Sequence, residues 1–337
     1  MALLAQCSCK GVRACILCEV YRGRVPGQRL NVSAIRRTFV FCPRCCLCFE
    51  VNSESGELLK GVIRVPGIQV AEEAISERHE EFLQENVERS PWIESQSGRR
   101  KQDFGPKVNF KKQRVKTDAF QGFPSYMDIV MGSFSSLPEE SMRDFNPIEL
   151  CNLKYSPERG SCIDPHFDDF WLWGERLVTL NLQGATVLTF SRAQDFSDLT
   201  QTNISSVTEL TKNNENYALT TDNICRLSRT HSCAGLEQLG GTECVRKKDK
   251  KENITNDEVR AKAGDVVHVA LPRRSVVLVA DEARFQWHHS VLREHVSETR
   301  LAMTVRELSE AFRDPTREYE FSLGRELTAK AKINPAL

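Results

Sequence analysis

Residues 155–182 read "YSPERGSCIDPHFDDFWLWGERLVTLNL". His166 and Asp168 stand one residue apart here, between a proline-bearing loop and an aromatic, apolar run, with Asp164 and Asp169 beside them. A surface loop can carry such a cluster by coincidence, whereas a metal site requires it. Extended backbone puts side chains at i and i+2 on one face. His166 and Asp168 are therefore expected to project together, with Asp169 turned away. The following "ERLVTLNL" has the β-branched, apolar character of a strand.

A histidine and a carboxylate become a 2-His-1-carboxylate iron(II) site if a second histidine joins them. Residues 285–295, "FQWHHSVLREH", offer His288 and His289 in adjacent phases. His289 alternates with Trp287 and Val291, an apolar set expected to face inward. His288 alternates with Gln286 and Ser290. His289 is the expected ligand. Next comes "RLAMTVREL", residues 300–308. In extended form Leu301, Met303 and Val305 line one face, and Arg300, Ala302, Thr304 and Arg306 the other. The two guanidiniums are roughly 20 Å apart by the strand repeat, with small side chains between them, so a small dicarboxylate can lie over that gap. Arginine suits this because its planar fork grips a carboxylate through two hydrogen bonds.

The chain has 337 residues, 46 Lys and Arg against 46 Asp and Glu, and 40% hydrophobic content. These values describe an ordinary globular chain with no global bias toward nucleic acid. "MALLAQCSCK" lacks a basic leader, so no secretory signal is expected. No apolar run reaches the roughly 18 residues of a membrane helix, and no membrane association is expected. "TVLTF" and "VVHVALPRRSVVLVA", the latter broken by Pro272, Arg273 and Arg274, add further strands to a mainly β core. "EEAISERHEEFLQENVERSPW" predicts an amphipathic helix with Ile75, His79, Phe82, Leu83 and Val87 inward, ending before Pro91.

Eight of the 13 cysteines lie in the first 48 residues, which predicts a separate Cys-rich module over 1–50 and a packed domain over 60–325. Cys7, Cys9, Cys15 and Cys18 provide four thiolates, the number a closed structural zinc site needs. Cys42, Cys45, Cys46 and Cys48 offer a second set. Without an export signal, thiols or metal thiolates are expected, and with them a reducing compartment. Residues 195–262 are polar and charged and are expected to form a disordered insertion in the domain. Residues 97–116 carry eight Lys or Arg against one Asp, interleaved with Phe104 and Phe110. Such a run suits a phosphate backbone or an acidic protein surface.

His166-x-Asp168, a distant His289, and Arg300 and Arg306 on one strand together resemble the AlkB family of iron(II)/2-oxoglutarate dioxygenases. "YSP" at 155–157 resembles the family's cosubstrate-contacting Tyr-x-Pro, and "RRKQDFG" at 99–105 its nucleotide-recognition lid. Within the family the fourth-homologue branch of animals is most similar, through "CSCKGVRACILCE", "SQSGRRKQDFGPKVNF", "CNLKYSPERGS" and "DPHFDDFWLWGERLV". The resemblance implies a double-stranded β-helix (jelly roll) with flanking helices. It implies iron(II) on His166, Asp168 and His289. It places 2-oxoglutarate on Arg300 and Tyr155, with Arg306 near the iron end, and a lid that includes Arg99, Arg100, Lys101 and Phe104. The family's Asn two residues before the Tyr is Leu153 here, which leaves Asn152, one further back, for that contact.

The implied reaction is oxidative N-demethylation with release of succinate and formaldehyde. The implied substrates are monomethylated lysine in actin and N6-methyladenine in DNA. Actomyosin proteins and DNA are then the partners, and cytoplasm and nucleus, including the cell-division midbody, the expected locations. Two other classes fit parts of the sequence. A zinc-dependent hydrolase can use His2Asp but gives Arg300 and Arg306 no task. An inactive docking module can use the basic run and the Cys-rich end but gives the triad none.

Overall fold

The computed structural model of the chain describes residues 9, 14–23, 35–192, 219–230 and 260–332. Two seven-stranded sheets dominate it. The first runs, in spatial order, β10 (Ile163–His166), β15 (Trp287–Val291), β12 (Thr186–Arg192), β13 (Asp265–Leu271), β1 (Arg37–Cys42), β2 (Leu47–Val51) and β3 (Leu58–Ile63). The second runs β4 (Ile68–Ala71), β14 (Ser275–Val279), β11 (Trp173–Gln183), β16 (Arg300–Leu308), β9 (Pro147–Tyr155), β6 (Arg100–Phe104) and β5 (Ile93–Glu94). A separate hairpin joins β7 (Lys107–Asn109) and β8 (Arg114–Lys116). Neighbouring strands are antiparallel except β1 and β13, which run parallel. The described helices are α1 (Ile16–Arg22), α2 (Glu77–Glu88), α3 (Met127–Ser133), α4 (Glu139–Met142), α5 (Thr221–Thr230), α6 (Asp281–Phe285) and α7 (Glu318–Ala331). None of them is long and apolar enough to cross a membrane.

One apolar cluster draws Phe39, Phe190 and Val267 from the first sheet and Tyr155, Leu177 and Val277 from the second, so the sheets pack face to face. The outer face of the second sheet carries Leu180, Met303 and Val305 against Leu83 and Val87 of α2, Val130 of α3 and Leu327 of α7. Each fully buried side chain of this size contributes about 1.5–3 kcal/mol. Strand β16 shows why its alternating sequence is needed. Leu301, Met303 and Val305 join the helix-side cluster, which leaves Arg300, Ala302, Thr304 and Arg306 on the face toward the other sheet. Directly opposed residues of an antiparallel pair share a face. Tyr155, Leu153, Cys151 and Glu149 of β9 therefore stand beside these four.

Four expectations are corrected. Residues 1–50 are not a module apart, because β1 and β2, with Cys42 and Cys48 buried in them, pair into the first sheet. The stretch 195–262 lies largely outside the described residues, but α5 falls within it and is ordered. Leu219 and Ile224 pack there on Val40, Val51, Val187 and Ala270 and cover the outer face of the first sheet. Helix α2 is capped by Ser76, whose hydroxyl accepts from the His79 N–H, and buries Glu80, Leu83, Asn86 and Val87. Glu80 takes an inward place because Arg273 and Arg274 pair with it at 2.8 and 3.4 Å. His79 and Phe82 turn outward. Finally, "RKQDF", expected as part of a lid, is a strand of the second sheet. It is β6, laddered to β9 along its whole length.

Candidate active site

His166 ends β10 directly opposite His289 of β15, and their rings lie 4.4 Å apart. Asp168 lies beyond the strand end, so the His-x-Asp pair converges through a loop and not by strand alternation as the sequence reading assumed. The ligand atoms of His166, Asp168 and His289 all fall within 4.8 Å of one another. His166 Nδ1 lies 2.9 Å from the Asp164 carbonyl. A carbonyl only accepts, so Nδ1 carries the proton and Nε2 presents its lone pair 3.7 Å from Asp168 Oδ1. Two acceptors facing each other at this range repel unless a cation lies between them. Fixing a histidine tautomer from its far nitrogen is the usual way a metal ligand is aimed.

Electrostatics keep Asp168 and His289 in ligating form. Burial opposes ionisation of Asp168, but the Arg306 guanidinium, through its charge and its hydrogen bonds, holds the carboxyl well below the usual range. Burial, with His166 nearby, pushes His289 down to about 3, so it remains a neutral base. His289 Nδ1 is buried without a hydrogen-bond partner, an orphaned ring nitrogen beside this set. His288, by contrast, sets its ring against Phe167, centroids 4.1 Å apart and tilted by 41°, and is not one of the three clustered ligands. A 2-His-1-carboxylate donor set in this geometry fits iron(II).

The two arginines have different tasks. Arg306 Nε donates to Asp168 Oδ2 at 3.1 Å, and its Nη1 to Glu149 Oε2 at 2.5 Å. Its fork is occupied by protein carboxylates, so it orients a metal ligand and is not an open seat for the cosubstrate. Arg300 is buried with its guanidinium 4.7 Å from the centre of the Tyr155 ring. Its Nε donates to Asn181 Oδ1 at 2.7 Å. Burial lowers its affinity for its proton, and Tyr155 only partly offsets that. Among the described residues no carboxylate pairs with it. Between the arginines the floor is Ala302, Leu153, Thr304 and Cys151, with Thr179 bonded to Thr304 at 2.9 Å. A buried cation facing this floor fits the distal carboxylate of a small dicarboxylate.

Asn152 does not join this space. It lies on the opposite face of β9, beside Met303, where its amide donates to Gln102 and to the Tyr126 hydroxyl, both at 2.9 Å. Strand alternation puts Leu153 on the site face instead. Of the expected lid, Arg99 is buried over the Tyr155 ring at 5.9 Å, and Phe104 packs edge-on against Tyr126 at 6.4 Å. Arg100 and Lys101 pair with Glu94 and Asp103. The exposed cations instead cluster on the β7–β8 hairpin, whose Phe110 lies 6.4 Å from Trp173, itself stacked under Arg306 at 5.7 Å.

Sequence reasoning missed Glu149, Asn181 and Arg284. Arg284 is buried in α6 and donates to the carbonyls of Asp168 and Asp169, both at 3.0 Å, and of Gly174 at 3.3 Å. It pins the loop that delivers Asp168. No sequence signal marks it, because its partners are backbone atoms more than a hundred residues away. Cys9, Cys15 and Cys18 form a second compact cluster, while Cys7 lies outside the described residues. Cys42, Cys45, Cys46 and Cys48 form no further metal-sized cluster among the described residues.

No family model matches the chain. It is 37% identical over 325 residues to a human protein named alpha-ketoglutarate-dependent dioxygenase alkB homolog 4, covering 96% of this chain and 93% of that one. A mouse protein of the same name is 34% identical over 331 residues, covering 98% and 95%. A Caenorhabditis elegans protein named DNA N6-methyl adenine demethylase is 27% identical over 356 residues, covering 98% and 96%. Agreement of that extent with the two mammalian proteins means that this chain belongs to the alkB homolog 4 family of alpha-ketoglutarate-dependent dioxygenases.

Proposed function

We propose that this dioxygenase is an oxidative N-demethylase, built on a double-stranded β-helix, that acts on monomethylated lysine in actin or on N6-methyladenine in DNA. The observation that carries the reading is Arg300, a buried guanidinium with no carboxylate partner among the described residues, on the same face of β16 as Arg306, which bonds Asp168 of the His2Asp set. A zinc hydrolase gives that arginine no counter-ion. Iron(II) bound with 2-oxoglutarate and dioxygen supplies the oxidising power that hydroxylates an N-methyl carbon, after which formaldehyde leaves.

The chain's own residues hold and shield that chemistry. His166, Asp168 and His289 would hold the iron, with Arg306 and Arg284 fixing Asp168. Arg300, Asn181 and Tyr155 would seat the distal carboxylate of 2-oxoglutarate. Lys107, Lys111, Lys112, Arg114 and Lys116 on the hairpin are exposed and meet phosphates or an acidic protein surface, with Phe110 toward the site. The nematode relative's name supports the DNA substrate. The resemblance to the fourth-homologue branch supports the lysine substrate.

The test is turnover of monomethyl-lysine actin peptides and of N6-methyladenine DNA by the iron-loaded full chain. Formaldehyde and succinate should form in equal amounts with at least one of them, and only when 2-oxoglutarate is present. Succinate without formaldehyde from either substrate would contradict the demethylase reading.

A further inference from the structure

The sequence spaces Cys9, Cys15 and Cys18 as C-x5-C-x2-C, and the fold brings the three together with their sulfurs within 4.8 Å of one another. All three are buried thiols, Cys15 and Cys18 completely so. Around zinc, sulfur ligands at about 2.3 Å in tetrahedral array stand roughly 3.8 Å apart, so a small contraction brings this cluster to bonding geometry. Cys15 and Cys18 form a Cys-x-x-Cys at the start of α1, a spacing that lets two thiolates share one ion.

Two hydrogen-bond donors reach the cluster. The Gly98 N–H donates to Cys9 Sγ at 3.2 Å, and Arg159 Nη2 donates to the same sulfur at 3.5 Å. Hydrogen bonds of this kind, with a nearby cation, stabilise metal-bound sulfur. The cluster also joins distant parts of the chain. Arg159 Nη1 holds Glu94 at 2.7 Å. Arg293 grips Glu19 of α1 through two bonds of 2.9 and 2.7 Å, and its Nε donates to the Gly160 carbonyl. Gly98 has φ +75°, and a Cβ there would sit 2.8 Å from the Cys15 Cβ. Only glycine permits so close an approach in that conformation. The next residue is Arg99, whose guanidinium lies over Tyr155.

We propose that Cys9, Cys15 and Cys18 supply three of the four ligands of a structural zinc ion that staples the N-terminal segment to the loop at 96–99. This site is separate from the His2Asp centre, shares no residue with it, and does not depend on the identity of the methylated substrate. Three buried thiols could also pack simply as small apolar groups, and that alternative makes a different prediction.

The test uses the full chain with His166→Ala and His289→Ala, which removes the competing metal site. Elemental analysis after washing with a weak chelator should find about one zinc per chain. Adding Cys15→Ser and Cys18→Ser should abolish it. Where those substitutions prevent folding, titration of the His-substituted chain with an organomercurial should release the zinc in step with thiol modification. Growth in cobalt should produce thiolate-to-cobalt charge-transfer absorption in the same chain. Stripping the metal should speed amide exchange at 96–99 and in α1. Absence of zinc from the washed His-substituted chain, visible iron–sulfur absorption in place of zinc, or unchanged exchange on stripping would each overturn the proposal.

Discussion

Arg300 and Arg306 lie six residues apart on one strand and face the same space, yet their surroundings are opposite. Arg306 is saturated by Asp168 and Glu149, and those two carboxylates outweigh burial and keep it firmly charged. Arg300 has an amide oxygen and an aromatic ring for company, and burial works against its charge. A protein retains a buried, unneutralised cation only at a cost in stability. On the proposed function the difference separates scaffold from binding seat: Arg306 steadies Asp168 within the chain, and Arg300 is the seat for an anion from outside.

Substitution at the saturated arginine should have the largest effect. Arg306→Ala leaves Asp168 and Glu149 buried without their shared partner, which should cost about 3–5 kcal/mol of folding stability, read by urea unfolding. Iron affinity should fall with it. Arg300→Ala should behave oppositely. It removes a desolvated cation, so urea stability should stay within about 1 kcal/mol of wild type or rise. Affinity for 2-oxoglutarate should nevertheless drop several hundredfold, about 3–4 kcal/mol. Equal destabilisation by the two substitutions would erase the distinction.

Asn181→Ala sharpens the comparison at a smaller scale. The Arg300 Nε loses its acceptor, and a buried donor left unsatisfied costs about 1–3 kcal/mol. The KM for 2-oxoglutarate should rise roughly tenfold or more, while iron binding is unchanged. An unaltered KM would show that Asn181 does not aim the guanidinium.

Part of this distinction could be read from the sequence, and part could not. Strict alternation in "RLAMTVREL" placed both arginines on one face and the apolar residues on the other, because an inner strand with two covered faces tolerates no other phase. The same logic selected His289 over His288, with Trp287 and Val291 both buried. Asn152 misled because β9 was not recognised as a strand, and its phase follows only from pairing with β16. Glu149, Asn181 and Arg284 contact their arginine or loop partners across 115 to 157 residues, a separation no local pattern records. Helix α5 is polar in composition and is ordered by the sheet face it covers.

The histidines provide a weaker, pH-dependent check. Burial pushes His289 down to about 3 and also lowers His268 and His295, the first with His166 beside it. The unfolded chain, with histidines near 6.5, binds more protons than the native one below that pH. Stability is therefore complete above about 6.5 and declines as pH falls from there toward 3, by up to about 1.4 kcal/mol per pH unit for His289, with His268 and His295 acting in the same direction. Urea midpoints measured across that window in metal-free protein should show the decline. A midpoint that rises on acidification would contradict the burial of these rings as neutral bases.

The most direct measurement compares binding of 2-oxoglutarate with that of 2-oxobutyrate, which lacks the distal carboxylate, to manganese-loaded wild-type and Arg300→Ala chains. Manganese occupies the centre without turnover, so equilibrium affinities report the carboxylate seat alone. Wild type should prefer 2-oxoglutarate by several hundredfold, the value of one buried charged contact at about 3–4 kcal/mol. The Arg300→Ala chain should bind the two within about tenfold of each other. A variant that still prefers 2-oxoglutarate as strongly as wild type would show that the carboxylate sits elsewhere, and that Arg300 is not its seat.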